Sequence, residues 1–299
     1  MHDRPVSART NWLPQPTRDG SFTFFSEEFG EAFHSRLGAK TEAFLKFVQA
    51  TDLIQKAQQP PLRLLDVCYG LGYNSAAAME TIWRVNPTCH IELYGLELDA
   101  TVPRSAILPP LIDTWSPTVQ VVLKTIALNH HCTTPTLSAR LLIGDARQTI
   151  RALKPQGFQA DAIFFDPFSP RCCPQLWTVE FFTAVSHCLA PNGKLATYSR
   201  AAAVRSAMLA AGLCIGTIPI TVPHLPHAWS EGTIGAFDAT TLHPLSRLEQ
   251  EHLQTRAAIP YRDPQGCDSA EVILQRHQAE QQHCQLESTS RWRRRWGIH

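Results

Sequence analysis

The chain has 299 residues, enough for one large domain or for a domain with appendages. Apolar residues make up 44% against 18% charged, so a sizeable core is available, and 22 prolines point to extensive, partly stiff loops. A net charge of +1 does not announce a nucleic-acid binder. Only six of the 27 basic residues are Lys, an Arg excess that suits phosphate contacts and a GC-rich coding sequence equally well.

Nine cysteines without a repeated spacing imply reduced thiols. No secretory leader opens the chain, and no apolar run approaches the length of a membrane span. The expectation is a soluble, cytoplasmic protein.

In chain order, residues 1–58 read as a polar arm and a helical cap. Phe22, Phe24 and Phe25 suggest a short strand or hairpin, and 27–57 read as helices. Strand and helix patterns then alternate over 59–240. Strands are expected at 62–67, 91–96, 139–143, 161–166, 193–198, about 213–219 and about 233–237. Helices are expected at 73–85, 147–153, 175–189 and 200–211. An insert at 99–138, rich in proline, holds a further helix near 119–129. Beyond 241 the pattern changes to helices at 245–257 and 268–284 and a basic-aromatic tail, Arg291 to Trp296. The alternation predicts a doubly wound α/β sheet, seven-stranded and mostly parallel, with helices on both faces and an antiparallel last hairpin.

The most informative stretch is Leu64-Leu65-Asp66-Val67-Cys68-Tyr69-Gly70-Leu71-Gly72-Tyr73-Asn74. An apolar run ends in an acid and bends through two glycines into a helix, as where a nucleotide-like cofactor meets the first parallel strand. Ser75 stands where a dinucleotide fingerprint has its third glycine, which argues against an NAD-dependent oxidoreductase. Glu97 ends the next apolar run and is placed to hold ribose hydroxyls. These features favour S-adenosylmethionine, with Asp66, Gly70, Gly72 and Asn74 around its methionine part. Asp145, after the third expected strand, suits either the adenine amino group or a helix N-cap.

The fourth expected strand ends Phe164-Phe165-Asp166-Pro167-Phe168-Ser169-Pro170. An alkylamine with a pKa of about 10 is protonated at neutral pH and has no lone pair to attack a methyl group. A carboxylate at the strand mouth can orient it and take its proton, and Asp166 is the candidate. Phe168 and Trp177 are expected to flank a planar base. His130-His131-Cys132 and Cys172-Cys173 lack the spacing of a tetrahedral metal site, so no metal is expected. No nucleophile elbow of the hydrolase type is present. The Arg/Trp tail reads either as an RNA contact or as a solvated tail.

Asp166-Pro167-Phe168-Ser169-Pro170, followed by Pro174 and Trp177, resembles the Asp-Gly-Phe-Ala-Pro…Pro…Trp signature of MnmC-type tRNA wobble-uridine methyltransferases. Cys68 to Asn74 is similar to that family's Gly-Phe-Gly-Thr-Gly-Leu-Asn. Thr23 to Ser26 resembles its Tyr-Phe-Ser segment, and Leu195 to Ser199 with Val204-Arg205 resembles its fifth strand and next helix. The resemblance spans roughly residues 20–240. It implies a class I (Rossmann-like) methyltransferase that uses S-adenosylmethionine to methylate 5-aminomethyl-2-thiouridine in the anticodon loop of tRNA. It carries over Asp166 as the group near the amine and Gly70, Gly72, Glu97 and Asp145 as cofactor contacts; Arg205 is a further expected substrate contact. The departures are Cys68 and Pro167 in place of glycines, and Pro223 to Trp229 in place of a Gly-x-Lys-Arg stretch. The flavin domain of the bifunctional members has no counterpart, which implies a stand-alone methyltransferase supplied with substrate by another enzyme. A same-fold enzyme acting on another amine or small molecule is the alternative.

Overall fold

The computed structural model describes residues 12–36, 38–219 and 229–298. Its centre is an eight-stranded sheet. The strands are β1 (Leu62–Val67), β2 (Ile91–Glu97), β3 (His131–Thr134), β4 (Leu137–Ile143), β5 (Ala160–Phe165), β6 (Leu189–Thr197), β7 (Cys214–Ile218) and β8 (Gly232–Ala236). They lie in the order β7-β8-β6-β5-β1-β2-β4-β3. The five in the middle run parallel. The β7–β8 pair at one edge and β3 at the other are antiparallel to their neighbours.

The sheet has one strand more than the seven expected. His131-Cys132-Thr133-Thr134 is too polar to signal a strand, yet it folds back on β4 through a two-residue turn, with Thr134 opposite Leu137. The stretch 27–36 is a second departure. It was expected to be helical, but Phe25–Ser26 pairs with Glu31–Ala32 in a small hairpin. Gly30 at φ +66° and Gly38 at φ +156° keep helix from starting before Ala39.

Each face of the sheet buries its own core. On one face Leu62 and Leu64 meet Phe24, Phe47, Tyr73, Met79 and Trp115. On the other, Leu65 and Val67 meet Phe165, Trp177, Phe182 and Met208. Helix α1 (Tyr73–Val85) buries Ala76, Ala77 and Ala78, small side chains that allow close approach. Helix α2 (Pro117–Asn129) starts with Pro at its first turn and ends at His130 in the left-handed region. Helices α3 (Val179–Ser186) and α4 (Ala202–Ala210) cover the other face, the former capped by the Thr178 hydroxyl.

The last sixty residues form α5 (Arg247–His252), α6 (Ala270–His283) and α7 (Thr289–Trp296). Ser246 and Glu249 make a capping box at the start of α5. Glu249 also meets Arg205 of α4 at 2.9 Å, both side chains being almost fully buried. Trp292 is buried and stacked on His252, with ring centres 4.6 Å apart. The indole N–H of Trp296 donates to Glu251. The basic-aromatic tail, open to reading as an RNA contact or as a solvated tail, is a packed helix whose aromatics face inward, leaving only Arg291, Arg293 and Arg294 fully to solvent among its unpaired cations. No helix among the described residues is long and apolar enough to cross a membrane.

Candidate active site

The carboxyl ends of β1, β2, β4 and β5 converge on one cleft. Between β1 and α1, Gly70 at φ +53° and Gly72 at φ +78° make a turn closed to side chains. A Cβ on Gly72 would lie 2.6 Å from the Tyr69 phenol oxygen, and one on Gly70 would lie 3.3 Å from Phe33. Glu97, at the end of β2, accepts the Gly70 N–H at 2.7 Å and the Asp99 N–H at 2.9 Å. Burial raises its carboxyl to about 7 despite these donors. Asp66 is fully buried under the turn, where Oδ2 accepts the Ser75 hydroxyl at 2.6 Å and Oδ1 has no partner. Burial likewise raises Asp66 to about 7.

A cavity of about 90 Å³ opens beside Glu97. Leu96, Leu98, Ala146 and Leu176 supply apolar wall, and Cys68 and Phe29 close it toward the glycine turn. Asp145 lies at its far end, where it caps the turn Ala146–Thr149 by accepting the Arg147 N–H. Its carboxylate is also gripped by the Arg147 guanidinium, at 2.7 Å from Nη2. Arg147 in turn reaches buried Asp263 at 2.7 Å, which ties the C-terminal segment to the cleft. The N-cap reading of Asp145 thus holds.

Asp166 follows β5, half-buried, its N–H donating to Val67 O at 3.1 Å. Asn74 in the first turn of α1 donates Nδ2 to Asp166 Oδ2 at 3.0 Å. Burial, then the nearby Glu42 carboxylate, raise Asp166 to about 8, against the Asn74 hydrogen bond. Asn74, expected at the cofactor, also holds Asp166 through its Nδ2, while its own Oδ1 is buried without a partner.

The loop after Asp166 is fastened from both sides. Phe168 stacks on Phe29 with centres 4.5 Å apart and meets Phe33 edge-on at 4.9 Å. Glu31 accepts the Ser169 N–H at 2.9 Å and the Ser169 hydroxyl at 2.5 Å. Although burial pushes the Glu31 carboxyl up, these donors hold it below its ordinary value.

Two expected substrate contacts lie elsewhere. Trp177 is fully buried against Phe165 and Phe182, and its indole N–H donates to Phe168 O at 2.8 Å. It supports the loop from below and has no face for a substrate. Arg205 is 1% exposed and bonds Thr233, Ser230 and Glu249. A guanidinium paired inside the protein joins α4 to α5 and is not offered to a ligand. The segment 223–228, where the basic stretch of the resembled family is replaced, lies outside the described residues. Glu31, Arg147 and Gln175 are site residues that sequence reasoning missed. Among the described residues no cluster of His, Cys, Asp and Glu could hold a metal ion.

The donor set fits S-adenosylmethionine. Glu97 keeps lone pairs for a ribose diol, and the glycine turn leaves backbone bare. The unpartnered Asp66 Oδ1 and Asn74 Oδ1 are acceptors for an ammonium or its bridging water.

Comparison with known proteins agrees. A family model described as S-adenosyl-L-methionine-dependent methyltransferase matches residues 109–221. The bifunctional tRNA 5-methylaminomethyl-2-thiouridine biosynthesis protein MnmC of Polaromonas naphthalenivorans is 28% identical over 228 residues, 73% of this chain and 35% of that one. The MnmC protein of Aromatoleum aromaticum is 31% identical over 211 residues, 66% of this chain and 31% of that one. The chain thus spans about a third of the length of these relatives. The crystal structure of MnmC2 from Aquifex aeolicus superposes with a TM-score of 0.81 at 28% identity, over 94% of this chain and 88% of that one. With the fold, the glycine turn and the strand-end acids in place, the chain is a class I S-adenosylmethionine-dependent methyltransferase related to the methyltransferase part of the MnmC proteins.

Proposed function

We propose that this enzyme methylates the amine nitrogen of 5-aminomethyluridine, with or without the 2-thio group, at the wobble position of tRNA, yielding the 5-methylaminomethyl form. The observation that carries the reading is the Asp166–Asn74 pair at the mouth of β5, beside the cofactor cleft. The names of the relatives supply the substrate class. In this reading residues 59–240 are the catalytic unit, flanked by the N-terminal cap and by the extension from 241, and the enzyme works in the cytoplasm.

Asp166 receives a substrate ammonium and takes one proton from it. With Asp166 at about 8 and an alkylamine near 10, that transfer is uphill by roughly 3 kcal/mol, small beside a methyl-transfer barrier. Asn74 fixes the carboxylate, and the Glu31 and Trp177 contacts fix the loop that carries it. S-adenosylmethionine held there would supply a sulfonium methyl, its C–S bond breaking as the freed lone pair forms the N–C bond. Glu97 and the glycine turn would hold the cofactor while Asp166 orients the amine, and this positioning would be the main source of rate.

A small-molecule amine as acceptor is the second reading. It is favoured by the aromatic arrangement, since Phe29 already covers one face of Phe168 and Trp177 is in the core. Labelled S-adenosylmethionine, bulk tRNA from a strain lacking wobble-uridine methylation and nucleoside mass spectrometry separate the two. A new 5-methylaminomethyl nucleoside supports the tRNA reading. No incorporation, with cofactor binding intact, overturns it.

A further inference from the structure

We propose that Gln175, and not Asp145, reads the edge of the adenine ring in the cofactor cleft. An acid in the position of Asp145 is the first place to look for an acceptor for the adenine amino group. Here most of its capacity is taken within the protein. Oδ1 accepts the Arg147 N–H at 2.9 Å and Nε at 3.1 Å. Oδ2 accepts Nε at 3.1 Å and Nη2 at 2.7 Å. The Nε–H is shared between the two oxygens, so three N–H groups of Arg147 occupy three of the four lone pairs of the carboxylate. Arg147 is itself held at 2.7 Å by buried Asp263, so the grip does not relax cheaply.

Gln175 is in the opposite condition. It stands in the first turn of the short helix Pro174–Trp177, which follows the Asp166 loop, and it lines the same cleft as Asp145 and Glu97. Its Oε1 is buried and has no hydrogen-bond partner. A buried acceptor without a donor costs free energy in the folded protein, a cost removed when a ligand supplies the donor. The wall beside it has matching chemistry. Leu98 is 58% exposed, a large apolar side chain left bare at the cleft next to Ala146 and Leu176. Apolar walls suit the faces of a flat heterocycle. A carboxamide suits one edge, because its C=O accepts from the 6-amino group while its NH₂ donates to the adjacent ring nitrogen. Glu97, near the glycine turn, takes the ribose end of the same cleft.

The inference rests on the cleft being the cofactor's, which the binding of S-adenosylhomocysteine tests separately. The experiment is calorimetric titration of the full chain with two ligands: S-adenosylhomocysteine, and its analogue with hydrogen in place of the 6-amino group. The wild type should bind the analogue about 10- to 100-fold more weakly, the discrimination of one good edge contact. Gln175→Leu should bring that ratio below about threefold by weakening the adenine compound more than the analogue. Gln175→Glu, which keeps an acceptor, should retain the ratio, and Asp145→Ala, which removes both carboxylate oxygens, should leave it unchanged. Thermal melts of each variant without ligand show whether it is folded. An undiminished ratio in Gln175→Leu, or a ratio abolished in Asp145→Ala, overturns the assignment. Failure of the wild type to bind S-adenosylhomocysteine would instead displace the cofactor from this cleft.

Discussion

Replacing Asn74 by alanine removes the hydrogen bond that holds the Asp166 carboxylate, and its effect should be read in pH and not only in rate. Asp166 works as a proton acceptor, so its ionised form is the active one, and kcat/KM should rise with pH through its value near 8. Asn74 Nδ2, at 3.0 Å, favours that ionised form. A hydrogen bond to a charged group is worth about 1.5–3 kcal/mol, and 1.36 kcal/mol is one pH unit, so its loss should move the rising limb upward by about 1–2 units. At pH 7 the variant should be roughly 10- to 100-fold slower, and most of the deficit should close by pH 9–10. Asp166→Asn should be inactive at every pH while binding S-adenosylhomocysteine within a few fold. The assay is initial-rate methyl transfer from labelled S-adenosylmethionine to undermodified tRNA between pH 6 and 10. A rising limb that stays in place in Asn74→Ala, or survives in Asp166→Asn, would refute the role given to the pair.

Arg205→Met leaves Glu249 buried without its cation and should destabilise the fold by about 3–5 kcal/mol, measured by urea unfolding. Substrate KM of the folded fraction should be unchanged, and a raised KM with intact stability would return Arg205 to the substrate site. Gly72→Ala places a methyl 2.6 Å from the Tyr69 hydroxyl on a left-handed backbone. Cofactor affinity should fall at least about tenfold by calorimetry, a left-handed Ala alone costing about 1–2 kcal/mol. Asp66 at about 7 is raised above its unfolded value near 3.8, so the folded state keeps a proton the unfolded state gives up. Its contribution is present in full below about pH 4 and is lost as pH rises through about 7. Asp66→Asn should therefore flatten the fall in melting temperature of the ligand-free protein across that window. An unchanged slope would contradict the raised value.

The elements legible in the sequence are those written by local pattern. Strand β1 and helix α1 fall where the apolar run, the two glycines and the alanine-rich face predict them. The signature from Asp166 to Trp177 located the loop, but not which of its side chains face outward. Trp177 and Phe168 are both aromatic, and only the packing of Phe165 and Phe182 sends the former into the core. Contacts that bridge long separations left no trace. Glu31 meets Ser169 across 138 residues, and Arg205 meets Glu249 across 44. The tail was the instructive misreading, because Trp292 and Trp296 are four residues apart and share one side of a helix, a spacing that already argues for packing.

Phe29 touches two compartments at once: it forms part of the cofactor wall and stacks on the ring that follows Asp166. Any displacement of the hairpin wide enough to pass a nucleoside along that wall also unstacks Phe168. A ligand that packs on Phe29 in the cleft therefore bears on the ring beside Asp166 as well, so the cofactor wall and the acceptor loop share one aromatic support.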